Sequence, residues 1–170
     1  LNLTSMIPNA PYPVYNGGMA ESGRFDKFNN NANTIIVSQG GASAGYVNFI
    51  KECFWAGAHC YVVIPFADRI DNRYLYHLLK FNQIKIQNLK HGAGIPGLRI
   101  DRLQKFVIPV PPLPVQAEIV RILDKFDALT TDLSAGLPAE LKARRQQYEY
   151  YRKELLSFDN LDKREGVEYK

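Results

Sequence analysis

The rhythm of apolar positions along this chain changes near residue 113. Before it, they come as short β-branched or aromatic runs between turn residues; after it, they recur every three or four positions. The runs Thr34–Ser38, Tyr46–Ile50 and His59–Pro65 have the length and side chains of strands, and Asn16-Gly17-Gly18, Asn29-Asn30-Asn31 and Gly40-Gly41 punctuate them as turns. These strands suit a mixed, mainly antiparallel sheet. A helix is predicted over Asn72–Asn82, where Asp71 or Asn72 supplies a cap and Leu75, Leu78 and Leu79 share a face, with room to extend toward Leu89. Lys90–Leu98 holds three glycines and a proline in nine residues, too broken for a helix or a central strand, so it reads as a loop. A short helix at Asp101–Lys105 and a strand at Phe106–Val110 are expected to follow.

Beyond Pro114 the period is helical. Val115, Ile119, Ile122, Phe126, Leu129 and Leu133 are spaced 4, 3, 4, 3, 4, the repeat of a coiled-coil seam. Pro114 suits the first helical position, where a missing N–H costs nothing, and Glu118 lies near the positive helix end. Gly136 can stop this helix and Pro138 start another, in which Leu141, Arg144, Tyr148, Tyr151, Leu155 and Phe158 run at 3, 4, 3, 4, 3 with Arg144 the polar intruder. The proline-rich Val110–Pro114 reads as a stiff spacer that holds these helices off as an arm; the plainer alternative is a helical pair packed on its own domain. The expected fold is α+β: a mixed, mainly antiparallel sheet domain with short helices over 1–113, a two-helix coiled-coil arm over 114–158, and a tail or linker over 159–170.

Composition adjusts this picture little. The chain has 170 residues, 46% of them hydrophobic, enough for a real core. No apolar run approaches the ~18 residues of a membrane span and no charged-then-apolar leader opens the chain, so a cytoplasmic protein without membrane contact is expected. Cys53 and Cys60 are the only cysteines; with His59 between them they match no familiar zinc spacing, and buried thiols are the simpler reading. Neither a metal nor a cofactor is expected. Charge is more informative. Leu1–Leu113 carries 11 Lys and Arg against 6 Asp and Glu, whereas Pro114–Lys170 carries 10 against 11, so the positive surplus belongs to the first region, as it would if that region faced a polyanion. A merely solvated basic surface accounts for the same count.

The stretch Phe106–Phe158, with its hydrophobic-Pro-hydrophobic-Pro-Pro-Leu run, Gln116 and the helix carrying Ile119, Leu123 and Leu129, closely resembles the conserved region of the specificity (S) subunit of type I restriction-modification systems. Upstream, YPVYNGG, IIVSQGGASAGYV, NRYLYHLL and GAGIPGLRIDRLQKFVIPVP look like a target recognition domain of that family, so the resemblance covers Asn9–Phe158. It implies a non-catalytic subunit whose first domain reads one half of a bipartite double-stranded DNA target. Its helices are then expected to pair with a second half-subunit or a copy of this chain, and to dock modification (methyltransferase) subunits and through them restriction subunits. The partner surface would comprise Gln116, Ile119, Ile122, Phe126, Leu129 and Leu133 on one helix and Leu141, Arg144, Tyr148, Tyr151 and Leu155 on the other. Such domains usually carry more chain before the position of Asn9, and DKREGVEYK resembles the lead-in to a further domain; a fragment, half-subunit or rearranged subunit is the expectation.

Groove readout, not bond chemistry, is then the relevant physics: Lys and Arg on phosphates give register, and side chains on base edges give sequence. In SQGGASAGY (Ser38–Tyr46) the glycines let backbone approach a duplex, while Gln39, suited to an adenine edge, and Ser43 offer donors and acceptors. A tight structural loop would use the same glycines. In NLKHGAGIPGLR (Asn88–Arg99), Lys90, His91 and Arg99 are candidates, in a stretch (69–105) holding 8 Lys and Arg but 2 Asp and Glu. Arg24 and Lys27 are further phosphate candidates, and Tyr12, Tyr15 and Tyr46 are candidates for a thymine methyl or a sugar, with buried core tyrosines the plainer reading of all three.

Catalytic readings fare poorly. NAPY (Asn9–Tyr12) nearly matches an amino-methyltransferase box but lacks a glycine-rich cofactor loop, Glu168 and Lys170 have no acidic partner, and His59, His77 and His91 form no nucleophile constellation. The remaining rival is an interaction scaffold in which the helices do everything and DNA is not read sequence-specifically.

Overall fold

A computed structural model describes residues 5–92, 94, 96–132 and 138–157. The chain divides into two compact units, one built from the chain up to Ile64 with Asn82–Phe106, the other from Pro65–Phe81 with the chain from Val107 onward.

The first unit carries six short strands: β1 (Tyr12–Tyr15), β2 (Gly23–Phe25), β3 (Thr34–Ser38), β4 (Val47–Ile50), β5 (Trp55–Ala56) and β6 (Cys60–Val63). They form two three-stranded sheets, ordered β2-β1-β5 and β4-β3-β6. Every pairing is antiparallel except β1 with β5, so the mixed, mainly antiparallel expectation holds. Strand β3 matches the predicted TIIVS run residue for residue; as the central strand it is buried from Ile35 through Ser38, which is why its sequence is continuously apolar rather than alternating. Ile36, Ile50 and Phe54 make the core of this sheet region, with Tyr15, Cys60 and Val62 packed against it.

Strands β1, β2 and β5 went unannounced in the sequence because each has two to four residues and β1 contains Pro13. What holds β5 is partly a side chain: Asn29 Nδ2 donates to the Ala56 carbonyl (3.0 Å) and Asn29 Oδ1 accepts the Ala56 N–H (2.7 Å), so one amide imitates a neighbouring strand. Short helices α2 (Gln83–Gln87) and α3 (Ile100–Leu103) complete the unit. The Gln83 side-chain oxygen accepts the Val47 N–H at 3.1 Å, tying α2 to the start of β4.

The second unit is helical: α1 (Asn72–Phe81), α4 (Leu113–Asp132) and α5 (Pro138–Ser157). Asp71 caps α1, its Oδ1 accepting the Tyr74 N–H at 2.8 Å. The predicted helix does not run on to Leu89; it stops at Phe81, and α2 is a separate turn belonging to the other unit. Nor is Phe106–Val110 a strand, because Pro109 and Pro111 remove N–H donors a ladder needs. Pro109 alone sits in a bridge, and it gives its carbonyl to the Tyr74 hydroxyl (3.0 Å). Gly136, Leu133 and Phe158 and the tail over 159–170 lie outside the described residues, as does the side chain of Leu141.

Two features tie α1 and the proline run to the long helices. Tyr74 and Leu78 of α1 share one buried cluster with Ile119 and Leu123 of α4 and Leu156 of α5. Gln116 is wholly buried, accepting the Asp71 N–H (2.8 Å) and donating to the carbonyls of Arg69 (2.8 Å) and Pro111 (2.7 Å). Residues 65–81, which the sequence pattern grouped with the strands, therefore pack with the long helices. Further along, Phe126 stacks on Tyr151 with ring centroids 5.4 Å apart, while Ile119 and Leu123 meet Leu156, the order of antiparallel helices.

Polar side chains reinforce the α1–α4 contact. Asp124 receives Arg73 through Nε (3.1 Å) and Nη2, and His77 Nε2 lies 2.7 Å from the same carboxylate oxygen. Burial pushes the His77 imidazole below its ordinary pKa of 6.5, against the upward pull of Asp124, with Arg73 adding to the depression and Asp127 opposing it. Burial alone would raise the Asp124 carboxyl, but the Arg73 and His77 hydrogen bonds outweigh it and hold the group below the usual range. Both folded pKa values are depressed, so the unfolded chain binds protons first and stability falls on acidification. The His77 share is lost below about pH 6.5, and the Asp124 share only below about pH 3.8. Helical melting followed by circular dichroism is expected to drop between pH 7 and 5 in the wild type and to flatten in His77→Gln; an equally steep His77→Gln profile contradicts the assignment.

Candidate nucleic-acid interface

After β3 the chain turns sharply and returns as β4. The Gly45 N–H donates to the Ser38 carbonyl (2.8 Å), Ala44 to Gly41 (3.1 Å) and Tyr46 to Ser43 (2.8 Å), a compact fold that needs the positive φ of Gly41 (+69°) and Gly45 (+84°). The second glycine-rich stretch lies directly against this turn. The Leu98 N–H donates to the Gln39 carbonyl (2.7 Å), Gly41 donates to Pro96 (2.9 Å), and His91 and Gly97 exchange a reciprocal pair at 2.9 and 3.0 Å. On the other side, Gln39 N–H donates to the His59 carbonyl at 2.8 Å. Two loops about fifty residues apart are thus one continuous surface, sewn by main chain rather than side chains.

A cleft of about 580 Å³ opens there, lined among others by Gln39, His59, Tyr61, His91, Arg99 and Asp101. Leu98 anchors its floor: its side chain is buried, and its carbonyl accepts the Tyr61 hydroxyl at 2.8 Å. Arg99, the next residue, is exposed and paired with Asp101 through Nε–Oδ1 (2.9 Å) and Nη2–Oδ2 (3.3 Å). That hydrogen bond keeps the Asp101 carboxyl below its ordinary range. His59 and His91 are exposed at the same cleft.

Of the residues chosen from sequence, the fold brings Gln39, His91 and Arg99 together, with Lys90 half-buried immediately before His91. Ser43 and Tyr46 belong to the turn itself and are half-buried. Arg24 is otherwise engaged: Nε donates to the Ala10 carbonyl (2.6 Å), Nη2 to Pro11 (2.7 Å), and Glu21 and Glu52 lie at 3.3 and 3.7 Å. Its role here is to brace the segment before β1. Lys27 is exposed just beyond β2; neither it nor Arg24 lines the cleft. Sequence reading missed Tyr61, His59 and Asp101; the proximity of Asp101 to Arg99 was visible, but the Tyr61–Leu98 bond spans 37 residues.

On the helices, the expected seam divides. Ile119 is buried, Ile122, Phe126, Tyr148 and Leu155 are half-buried, and Val115 (46% exposed), Leu129 (39%) and Tyr151 (39%) remain open. The fully buried line on α4 instead runs Gln116, Ile119, Leu123, because α1 takes that face. Gln116, expected to meet a partner, is spent inside its own unit. Arg144 is half-buried and turned toward Gln147 (3.4 Å). Cys53 and Cys60 are free thiols; Cys60 Sγ accepts the Gly17 N–H at 3.1 Å, and burial raises its pKa. Among the described residues no His, Cys, Asp and Glu cluster could hold a metal, and no helix is long and apolar enough to cross a membrane.

Comparison with known proteins decides the family. The model of the type I restriction modification DNA specificity domain matches residues 7–143, most of the chain and both glycine-rich loops. The chain belongs to this family. The specificity domain is similar to the crystal structure of a type I restriction-modification S subunit from Mycoplasma genitalium, with a TM-score of 0.70 and 33% identity over 79% of this chain and 36% of that one. A putative type I restriction enzyme specificity subunit of Haemophilus influenzae is 43% identical over 138 residues, covering 76% of this chain and 34% of the relative. The EcoR124I/EcoR124II specificity subunit of Escherichia coli is 42% identical over 98 residues, covering 56% and 24%. A putative specificity subunit of Mycoplasma pneumoniae aligns over 92% of this chain at 29% identity. The specificity domain spans about half or less of the length of these relatives.

Proposed function

We propose that this specificity domain reads one half of a bipartite DNA target and positions modification subunits, and through them restriction subunits, without catalysing a reaction itself. The observation carrying this reading is the sewn loop pair, which sets Gln39, His91 and Arg99 around one cleft on main-chain supports. A fixed backbone beneath exposed polar side chains is what base-edge recognition requires, because discrimination depends on bidentate geometry rather than on net charge. Lys90 and Lys27 then supply phosphate contacts that are independent of sequence. The open apolar positions Val115, Leu129 and Tyr151 suit a protein neighbour: the second half of a specificity subunit or a second copy of this chain.

The test is co-expression with cognate modification subunits, followed by mapping of methylated adenines and by DNA binding at several salt concentrations. A two-part motif is expected, with affinity falling steeply between ~50 and ~200 mM salt. Lengthening both long helices by a heptad is expected to widen the unread spacer and leave the half-sites unchanged. An assembled complex that selects no motif and binds DNA without salt dependence would identify a scaffold instead.

A further inference from the structure

We propose that Arg99 reads a guanine in the half-site and that Asp101 is the positioning residue that aims it, an assignment that rests on the DNA-reading function proposed above. The argument begins with the guanidinium edges. Asp101 engages the edge formed by Nε and Nη2, at 2.9 and 3.3 Å. That leaves both Nη1 hydrogens and one Nη2 hydrogen, so the end-on fork of the group is still able to make two parallel hydrogen bonds. Such a fork fits the O6 and N7 acceptors of guanine, which lie side by side in the major groove, and no other base edge there offers two adjacent acceptors.

The backbone under Arg99 is fixed on both sides. Leu98 before it is 1% exposed, its N–H donates to Gln39 and its carbonyl accepts from Tyr61. After it, the Arg99 carbonyl accepts the N–H groups of Arg102 (3.1 Å) and Leu103 (3.2 Å), which starts α3. The side chain, by contrast, is 68% exposed and lines the cleft. An arginine held only for fold stability has no need of this combination, since exposed ion pairs contribute little. A phosphate can use the same fork, but it lies outside the groove and carries no sequence, so the two roles separate in base preference and salt dependence. A carboxylate that freezes one edge of an exposed guanidinium lowers the ordering cost of a bidentate contact made by the other.

The experiment uses the chain assembled with its modification subunits and measures competition by every single-base variant of the motif selected by the wild type. Arg99→Lys keeps the charge and loses the fork. It is expected to lose preference at one G·C pair by roughly 5- to 150-fold, with the other positions and the melting temperature unchanged. Asp101→Asn is expected to weaken preference at that same pair, and Asp101→Glu to restore part of it. A loss spread evenly over all sequences, with a shallower salt dependence, would make Arg99 a phosphate contact and overturn the proposal while leaving DNA reading intact. Unchanged preference in Arg99→Lys overturns it as well. If the wild type selects no motif at all, the functional reading fails first and takes this assignment with it.

Discussion

Replacing Gln116 with Leu is expected to destabilise the helical unit by about 3–5 kcal/mol, although Leu is close in volume and more apolar. The substitution leaves three main-chain groups without partners: the Asp71 N–H and the carbonyls of Arg69 and Pro111. The bond to Pro111 is buried and those to Asp71 and Arg69 are part-buried, and a buried polar group left unpaired costs about 1–3 kcal/mol, more than one leucine recovers at a side chain already 0% exposed. The effect also reaches the helix caps, since Asp71 N–H belongs to the residue that caps α1 and Pro111 stands two residues before α4. Urea unfolding followed at 222 nm gives the number. Gln116→Glu retains an acceptor for Asp71 but turns a carboxylate toward two carbonyls, so it should fare no better. A loss under about 1 kcal/mol for Gln116→Leu would mean that water reaches these groups and that the clamp is not what joins α1 to α4.

The same residue shows what could be read from the chain and what could not. The helices were legible because their signal is local: apolar spacing places Leu78, Ile119 and Leu123 inward, and Pro114 and Pro138 mark starts. That Gln116 faces inward while Val115 faces out was hidden, since the periodicity of α4 fits two partners at once and only the position of α1 chooses between them. Arg73 and His77 stand one helical turn apart on α1, but their shared Asp124 lies 51 and 47 residues away, so no local pattern pointed to the contact. In the sheet region the apolar core strand β3 was plain, whereas β5 is held partly by Asn29, which supplies a strand's hydrogen bonds from a side chain. Glycine content and basic charge marked both loops of the candidate interface. Their meeting depends on backbone pairs such as Leu98 with Gln39, and no side-chain pattern encodes those.

The glycines of that interface divide into two physical classes, and the difference is measurable. At Gly45, φ is +84° and an added Cβ would stand 2.8 Å from Cα and 2.9 Å from N of Gln87, backbone atoms of α2 that cannot swing aside. Gly45→Ala must therefore meet a left-handed strain of about 1–2 kcal/mol and an overpacking cost of about 1–3 kcal/mol together, and is expected to destabilise the sheet unit by about 2–5 kcal/mol. Trp55, the only tryptophan, sits in β5 of that unit, so its fluorescence reports the transition separately from the helices. At Gly40, nothing stands within 4 Å of an added Cβ and φ is unstrained, so Gly40→Ala should leave the melting transition within about 0.5 kcal/mol of wild type. Yet Gly40 lines the cleft, and a methyl group there projects into the space a duplex would enter. Gly40→Ala is accordingly expected to fold normally and bind its target several-fold more weakly, whereas Gly45→Ala loses binding only as it loses structure. If Gly40→Ala binds DNA as the wild type does, backbone approach at this turn is not part of recognition, and the glycines of the loop serve the fold alone.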